Sequence, residues 1–152
     1  MTQDYSTNKN PELIARVVCV KDGKILLCRG RGGPHYFLPG GHVEYGEPAL
    51  VALKREIKEE LNAGLRNPVF IGAVENIFSS ERRGDTHEIS LLFTGEVIGD
   101  GEGELTSAEP GLEFFWETME DFPCVHFLPR AMQSALLLWL KDGKIFWINQ
   151  PV

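Results

Sequence analysis

One segment of the chain carries the most information: LPGGHVEYGEPALVALKREIKEELNA, residues 38–63. Its second half predicts an α-helix over Pro48–Leu61, since proline suits a first helical position. Asn62 and Gly64 then supply stops after the last turn. The apolar residues recur at helical spacing, which gives the helix one face for a core: Leu50, Leu53, Ile57 and Leu61.

The same helix carries three carboxylates on one face, because Glu56, Glu59 and Glu60 are spaced i, i+3 and i+4. Like charges at this spacing repel one another, so a partner is expected. A hard divalent cation, Mg²⁺ or Mn²⁺, prefers such oxygen ligands, and the turn at Gly40-Gly41 exposes further carbonyl oxygens nearby. The plain alternative is a solvated helix face whose glutamates pair with neighbouring lysine and arginine side chains.

The full spacing favours the cation site. The spacing of this segment resembles the signature of the Nudix hydrolase family. It consists of Gly41, five residues, Glu47, seven residues and then Arg55-Glu56-Ile57-Lys58-Glu59-Glu60. The resemblance to this Nudix box covers Gly41 to Ala63, with Asn62 in place of the usual glycine and Ala63 in place of an aliphatic residue. Asparagine is the next best residue for a left-handed helix cap, so the first departure is mild. The order of predicted elements extends the resemblance to residues 12–148.

The resemblance implies the Nudix fold, an α/β (α+β) domain in which a mixed β-sheet lies between α-helices. It also implies a pyrophosphohydrolase that cleaves a diphosphate linkage in a nucleoside diphosphate joined to another moiety, by means of a metal-activated water. Carried over by position, the metal ligands and catalytic carboxylates are Glu56, Glu59 and Glu60, and the Gly40 carbonyl is a further metal ligand. Arg55 joins the catalytic set, and it and Glu47 orient the carboxylates. The expected cofactor is Mg²⁺ or Mn²⁺.

The general base stays open between a box glutamate and a carboxylate on a later loop. Glu109 is the candidate on that loop, with Glu104 and Glu113 as rivals, although solvated loop residues need no function. Candidate substrate-binding residues are those that can hold phosphate, base or ribose: Arg29, Arg31, Tyr36, Arg83 (or its neighbour Arg82) and His87. For each of these the alternative is an ordinary surface, core or structural role.

The remaining elements follow from apolar runs separated by turn residues. Glu12–Val20 and Ile25–Cys28 predict a hairpin about Lys21–Lys24, and Tyr36–Leu38 predicts a short strand. Further strands are predicted over four later segments, and a second helix begins at Pro129: Val69–Phe78, His87–Ile98, Leu112–Trp116 and Lys144–Ile148 for the strands, Pro129–Leu140 for the helix. Residues 12–152 are expected to form one domain after a flexible terminus at residues 1–11.

Composition narrows the class of protein. The chain has 152 residues and a net charge of −7, the size of one ordinary domain and the wrong balance for a duplex nucleic-acid binder. An anionic substrate must then meet a local basic group or a bound cation. Three cysteines form no CxxC pair, so a disulfide framework is not expected. No apolar run is long enough for a membrane helix. We expect a cytoplasmic location and a possible homodimer.

Two other functions stay open on the sequence. The domain could be a non-catalytic nucleotide sensor, in which the box binds a ligand without turnover. It could also be an acidic-helix domain with no cation site, in which case Mg²⁺ would not raise its melting temperature. The intact box carboxylates favour the enzyme.

Overall fold

A computed structural model describes residues 10–99 and 105–149. Within these ranges the chain forms eight strands, two α-helices and a short 3-10 turn. The strands are β1 Glu12–Val18, β2 Val20–Lys21, β3 Lys24–Gly30, β4 Gly40–His42, β5 Ala63–Ser80, β6 Gly84–Gly99, β7 Leu112–Thr118 and β8 Phe146–Asn149, and the helices are α1 Ala49–Leu61 and α2 Arg130–Asp142. The 3-10 turn covers Phe122–Cys124. Residues 1–9 of the predicted flexible terminus lie outside the described residues.

The strands form two sheets. The larger has the order β4-β1-β6-β5-β8, and it is mixed because the pairs β1–β6 and β5–β8 are parallel while β1–β4 and β5–β6 are antiparallel. The smaller sheet, β2-β3-β7, is antiparallel throughout. The predicted fold class, an α+β domain with a mixed sheet, is therefore confirmed.

The two helices pack on opposite faces of the larger sheet, because successive side chains of a strand point to opposite faces. Ala15 and Val17 of β1 belong to a core cluster with Leu53 and Ile57 of α1. Val18, the next residue of the same strand, belongs to a second cluster that includes Met132 and Leu136 of α2. The sheet thus lies between the helices, as predicted.

The predicted hairpin of Glu12–Val20 with Ile25–Cys28 is wrong over most of its length. Strand β1 ends at Val18 and pairs with β4 and β6, whereas only Val20 and Lys21 pair with β3 in the other sheet. The chain changes sheets at Cys19. An apolar run that looks like one long strand is here divided between two sheets, and periodicity alone does not mark the division.

The predicted strand at Tyr36–Leu38 is also wrong. Tyr36 and Phe37 make only isolated bridges to Phe127 and Cys28, and the strand lies further on, at β4. The first glycine of β4, Gly40, lies opposite Arg16 of β1. The backbones of β4 and β1 approach so closely there that no side chain would fit at Gly40.

The other differences are in length. Strand β5 begins directly after α1, because bulges between Arg66 and Val69 and between Phe70 and Gly72 let the strand continue through Pro68. All three cysteines are unpaired in the structure. Among the described residues, no helix is long and apolar enough to cross a bilayer.

Candidate active site

Helix α1 presents the box carboxylates to the glycines of β4. The helix begins after Pro48, whose backbone is extended, and ends at Asn62. Asn62 has a φ of 49° and is the left-handed cap predicted for this position. The Asn62 amide donates to the Lys58 carbonyl, which closes the last turn. Since the apolar face of α1 packs on β1, the face with the carboxylates turns toward Gly40 and Gly41.

Arg55 organises the exposed part of the site. Its Nε and Nη2 donate to the two carboxylate oxygens of Glu47 at 2.9 and 3.0 Å. Its Nη1 donates to Glu56 at 2.9 Å and to Glu59 at 3.4 Å, and Nη2 also donates to the His42 carbonyl. These hydrogen bonds to Glu47 lower the pKa of Glu47 and raise the pKa of Arg55. The roles predicted for Arg55 and Glu47 as orienting residues agree with these contacts but stay predictions.

Glu60 is the buried carboxylate of the site, with 7% of its surface exposed. The Gly40 amide donates to its Oε2 at 3.3 Å. Burial raises the pKa of Glu60 to about 7, although the Gly40 amide and the Arg16 charge oppose the shift. No lysine or arginine of residues 10–99 or 105–149 forms an ion pair with it. A buried carboxylate without an ion-pair partner is the kind of group that a cation stabilises.

The glycines of β4 leave room for the carboxylates of α1. A Cβ at Gly41 would lie 2.4 Å from the Glu56 carboxyl carbon, so this carboxylate rests directly against the Gly41 backbone. In the described part of the chain no three metal-ligating side chains are already gathered around one point. Glu56 and Glu59 instead bind Arg55, so they must turn from it to hold a metal together with Glu60. The donors are all hard oxygens, which fits Mg²⁺ or Mn²⁺.

A loop from the later part of the chain packs against the end of α1. The Ala108 amide donates to the Glu60 carbonyl at 2.7 Å, and the next residue is Glu109. Glu109 is exposed, and its charge, like that of Glu56, adds to the rise in the pKa of Glu60. Glu109 therefore lies beside the box, although its role as a base stays a prediction.

The two rivals differ from Glu109. Glu113 forms an ion pair with Arg29 at 3.0 Å and another with Arg31 at 3.8 Å, and its pKa is lowered by these contacts. A carboxylate held in this way is a poorer proton acceptor. Glu104 lies outside the described residues.

Arg29, Arg31 and Tyr36 lie together. Arg29 donates to the Tyr36 hydroxyl at 3.3 Å and lies over the Phe115 ring. Arg31 donates to the Pro110 carbonyl at 2.8 Å, which places this group next to the loop of Glu109. Their role in binding substrate stays a prediction.

The other two candidates, Arg83 and His87, lie on different faces of the sheet. Arg83 forms ion pairs with Glu12 and Glu88 and lines a cavity. His87 binds Glu75 at 2.7 Å, and alternation along β6 turns it away from the face that carries Glu88. His87 thus lies apart from that cavity.

The cavity, of about 410 Å³, was not predicted from the sequence. It lies on the α2 side of the larger sheet and is mostly apolar, with aromatic and aliphatic walls and a few polar groups: Phe37, Leu38, Phe78, Leu128, Pro129 and Met132 for the walls, Arg16, Asn76, Arg83, Glu88 and Ser90 for the polar groups. This size and lining are typical of small-molecule sites. The one signal in the sequence is the polar pair Glu88 and Ser90 at alternate positions of an apolar strand.

Arg16 connects the cavity to the box. Its Nη1 donates to the Leu38 carbonyl at 2.7 Å, and its guanidinium lies over the Phe37 ring. Burial lowers the pKa of Arg16, while the charges of Glu60 and Glu88 oppose this. Arg16 thus holds the loop that leads to Gly40 and leaves a cation between the cavity and the carboxylates.

Comparisons with known proteins agree with this site. The NUDIX domain profile matches residues 11–138. The chain is 32% identical over 142 residues to an ADP-ribose pyrophosphatase from Methanocaldococcus jannaschii, covering 91% of this chain and 80% of that protein. The chain therefore belongs to the Nudix family, and the prediction that it is a pyrophosphohydrolase enzyme of that family is confirmed.

Solved structures show the same fold. A MutT protein from Bacillus halodurans aligns with a TM-score of 0.71 at 20% identity, covering 90% of this chain and 86% of that chain. A MutT NUDIX hydrolase from Burkholderia pseudomallei aligns with a TM-score of 0.65 at 26% identity, covering 84% of this chain and 97% of that chain. These similarities support the assignment of the fold.

Replacing Arg55 by lysine tests the orienting role. We expect kcat to fall about 10- to 100-fold, as for other residues that support metal ligands, because lysine cannot bind Glu47 through two nitrogens and reach Glu56 as well. The melting temperature should fall only modestly, since lysine keeps a positive charge beside the three glutamates although it loses the two-nitrogen contact with Glu47. Steady-state kinetics and thermal unfolding measure both. Arg66→Lys, which alters a similar surface pair with Glu96, is the control. Equal kinetics in all three proteins would remove Arg55 from the mechanism.

Proposed function

We propose that this enzyme hydrolyses the diphosphate linkage of a nucleoside diphosphate derivative, with ADP-ribose as the first substrate to test. The metal is Mg²⁺ or Mn²⁺, held by Glu56, Glu59, Glu60 and the Gly40 carbonyl. The observation that carries the proposal is the buried Glu60 carboxylate, which lies against Gly40 beside two further carboxylates and has no ion-pair partner in the described chain.

The metal, when bound, neutralises phosphate oxygens and makes a bound water more acidic. The residues of the chain do the rest. Arg55 holds Glu47, Glu56 and Glu59 in one group, so that few side-chain rotations separate them from a ligating arrangement. The proton of the attacking water goes to a box glutamate or to Glu109.

The cavity supports a nucleoside-type substrate. Its apolar and aromatic walls suit a planar base, and Arg16 gives its near end a positive charge. The relative from Methanocaldococcus jannaschii is named for ADP-ribose, a substrate of this class. A negatively charged protein can then bind an anionic substrate, because the cation and Arg16 meet the phosphates.

The test is product release from a panel of diphosphates. Purified protein is incubated with ADP-ribose, nucleotide sugars, dinucleotides and nucleoside triphosphates, each with Mg²⁺, with Mn²⁺ and with a chelator. We expect AMP and ribose 5-phosphate from ADP-ribose with metal and none with the chelator. Turnover that persists in the chelator would exclude the metal from the mechanism.

Tight ligand binding without turnover of any panel member would instead support the sensor function. The homodimer and the cytoplasmic location stay predictions.

A further inference from the structure

The end of the cavity far from the box carries three polar side chains that hydrolysis does not use. Asn76 and Glu88 lie opposite each other on β5 and β6, and Ser90 follows two residues later on β6. All three line the cavity together with the rings of Phe37 and Phe78. A planar ligand therefore meets aromatic surface on its faces and polar groups at its edge.

Ser90 indicates that this end is made for a polar ligand. Only 5% of its surface is exposed, and its neighbours across the sheet, Ile14 and Val74, are apolar. Its hydroxyl has no hydrogen-bond partner within residues 10–99 and 105–149. Because Ser90 lines the cavity, its hydroxyl is satisfied by a group inside the cavity and not by the protein. A bound ligand with a polar edge would satisfy it.

Glu88 determines which hydrogen-bonding groups the edge of the ligand must carry. Its side chain is 13% exposed, and its Oε1 accepts a hydrogen bond from Arg83 Nη1 at 2.6 Å. Arg83 also binds Glu12, so the Glu88 carboxylate is held in place from one side. Its other oxygen, Oε2, has no partner in the part of the chain that the structure describes. A carboxylate only accepts, so this oxygen calls for a donor.

Asn76 completes the pattern. Its amide, which likewise has no partner among the described residues, can donate beside the accepting oxygen of Glu88. An acceptor next to a donor matches the edge of a base with an amino group beside an unprotonated ring nitrogen. Adenine and cytosine have that edge. Hypoxanthine and uracil have a carbonyl and a ring N–H in the same places, so both hydrogen bonds would be reversed.

We propose that the cavity binds the base of the substrate and that Glu88, with Asn76, selects bases with an amino group at this edge over those with a carbonyl. This inference rests on the proposed function, because it assumes a nucleoside-type substrate. The length of the cavity is suitable. Leu92 pairs with Arg16, and Glu88 lies four residues before it on β6. At about 3.3 Å per residue the two ends are about 13 Å apart, enough for a nucleoside monophosphate with its phosphate toward Arg16.

The test is equilibrium binding of four nucleotides, AMP against IMP and CMP against UMP, by isothermal titration calorimetry. We expect the wild type to bind AMP and CMP at least about tenfold more tightly than their partners, a difference of about 1.4 kcal/mol. Glu88→Gln should narrow both ratios to about twofold or less, because an amide can donate to a carbonyl. Glu96→Gln, which alters an ion-paired glutamate on the same strand, is the control and should keep the wild-type ratios.

Equal affinities in the wild type, or unchanged ratios in Glu88→Gln, would overturn the proposal. The wild-type comparison decides alone if the variant does not fold. No binding of any of the four nucleotides would also overturn it. These results are independent of turnover, so the panel of diphosphates still shows separately whether the proposed hydrolysis is right.

Discussion

Replacing Glu60 by glutamine is expected to lower kcat on the best substrate of the panel more than about a hundredfold, since outer-shell residues alone cost about 10- to 100-fold. The same change should stabilise the metal-free protein at pH 8. Glutamine keeps an oxygen that can accept from the Gly40 amide. It removes a negative charge from a side chain that is only 7% exposed, and a buried charge destabilises the folded state. Loss of catalysis together with a gain in stability marks a residue kept for its function.

The pH dependence has a definite sign. Burial raises the pKa of Glu60 to about 7 from its ordinary value of 4.5, so between these two values the folded state holds a proton that the unfolded chain releases. Wild-type stability therefore falls as the pH rises through this window, by up to about 3 kcal/mol. Glutamine does not titrate, so the advantage of the variant should appear as the pH rises and be complete above pH 7.

Thermal unfolding in a chelator at pH 5 and pH 8 measures this difference, which corresponds to several degrees in a chain of this size. Added Mg²⁺ should raise the melting temperature of the wild type but not of the variant. Glu120→Gln, at an exposed position, is the control. A variant that keeps full activity, or still responds to Mg²⁺, would remove Glu60 from the metal site.

The part of the fold that could be predicted is the part whose physical signals are local. Helix α1 is marked by its apolar spacing, by Pro48 before it and by Asn62 after it, and the structure places both ends within one residue of the prediction. The carboxylate face follows from the same spacing, because residues three and four apart on a helix are neighbours. A periodic segment with clear ends defines its own structure.

The rest depended on contacts distant in sequence. The change of sheet at Cys19 follows from the pairing of β1 with β6, a strand about seventy residues later, and no local residue marks it. The cavity depends on β5, β6 and the start of α2 meeting on one face of the sheet. Glu88 and Ser90 looked like ordinary polar positions of a strand, because the cavity that makes them informative is lined by segments distant in sequence.

Gly40→Ala is expected to unfold or severely destabilise the protein, by more than about 4 kcal/mol, and to abolish turnover. Two causes combine. The φ of Gly40 is +134°, a backbone angle that residues with a side chain rarely adopt. In addition, a Cβ there would lie 2.1 Å from the Ala15 carbonyl oxygen and 2.9 Å from the Arg16 Cα. Both contacts are with the backbone of β1, which is paired on both sides in the sheet and cannot move aside as a flexible side chain could. Relief therefore requires β4 to separate from β1, and the Gly40 amide then moves away from Glu60.

Gly46→Ala separates the two causes. Gly46 also has a positive φ, +79°, but a Cβ there would meet nothing within 4 Å. Its replacement should cost only the backbone strain, about 1–2 kcal/mol, and leave kcat close to the wild type. Chemical denaturation of the two variants beside the wild type gives both free energies of unfolding. Similar losses in the two would show that the strained backbone matters and the close approach of β4 to β1 does not. A much larger loss at Gly40 would show that this position requires glycine because two strands meet there without space for a side chain.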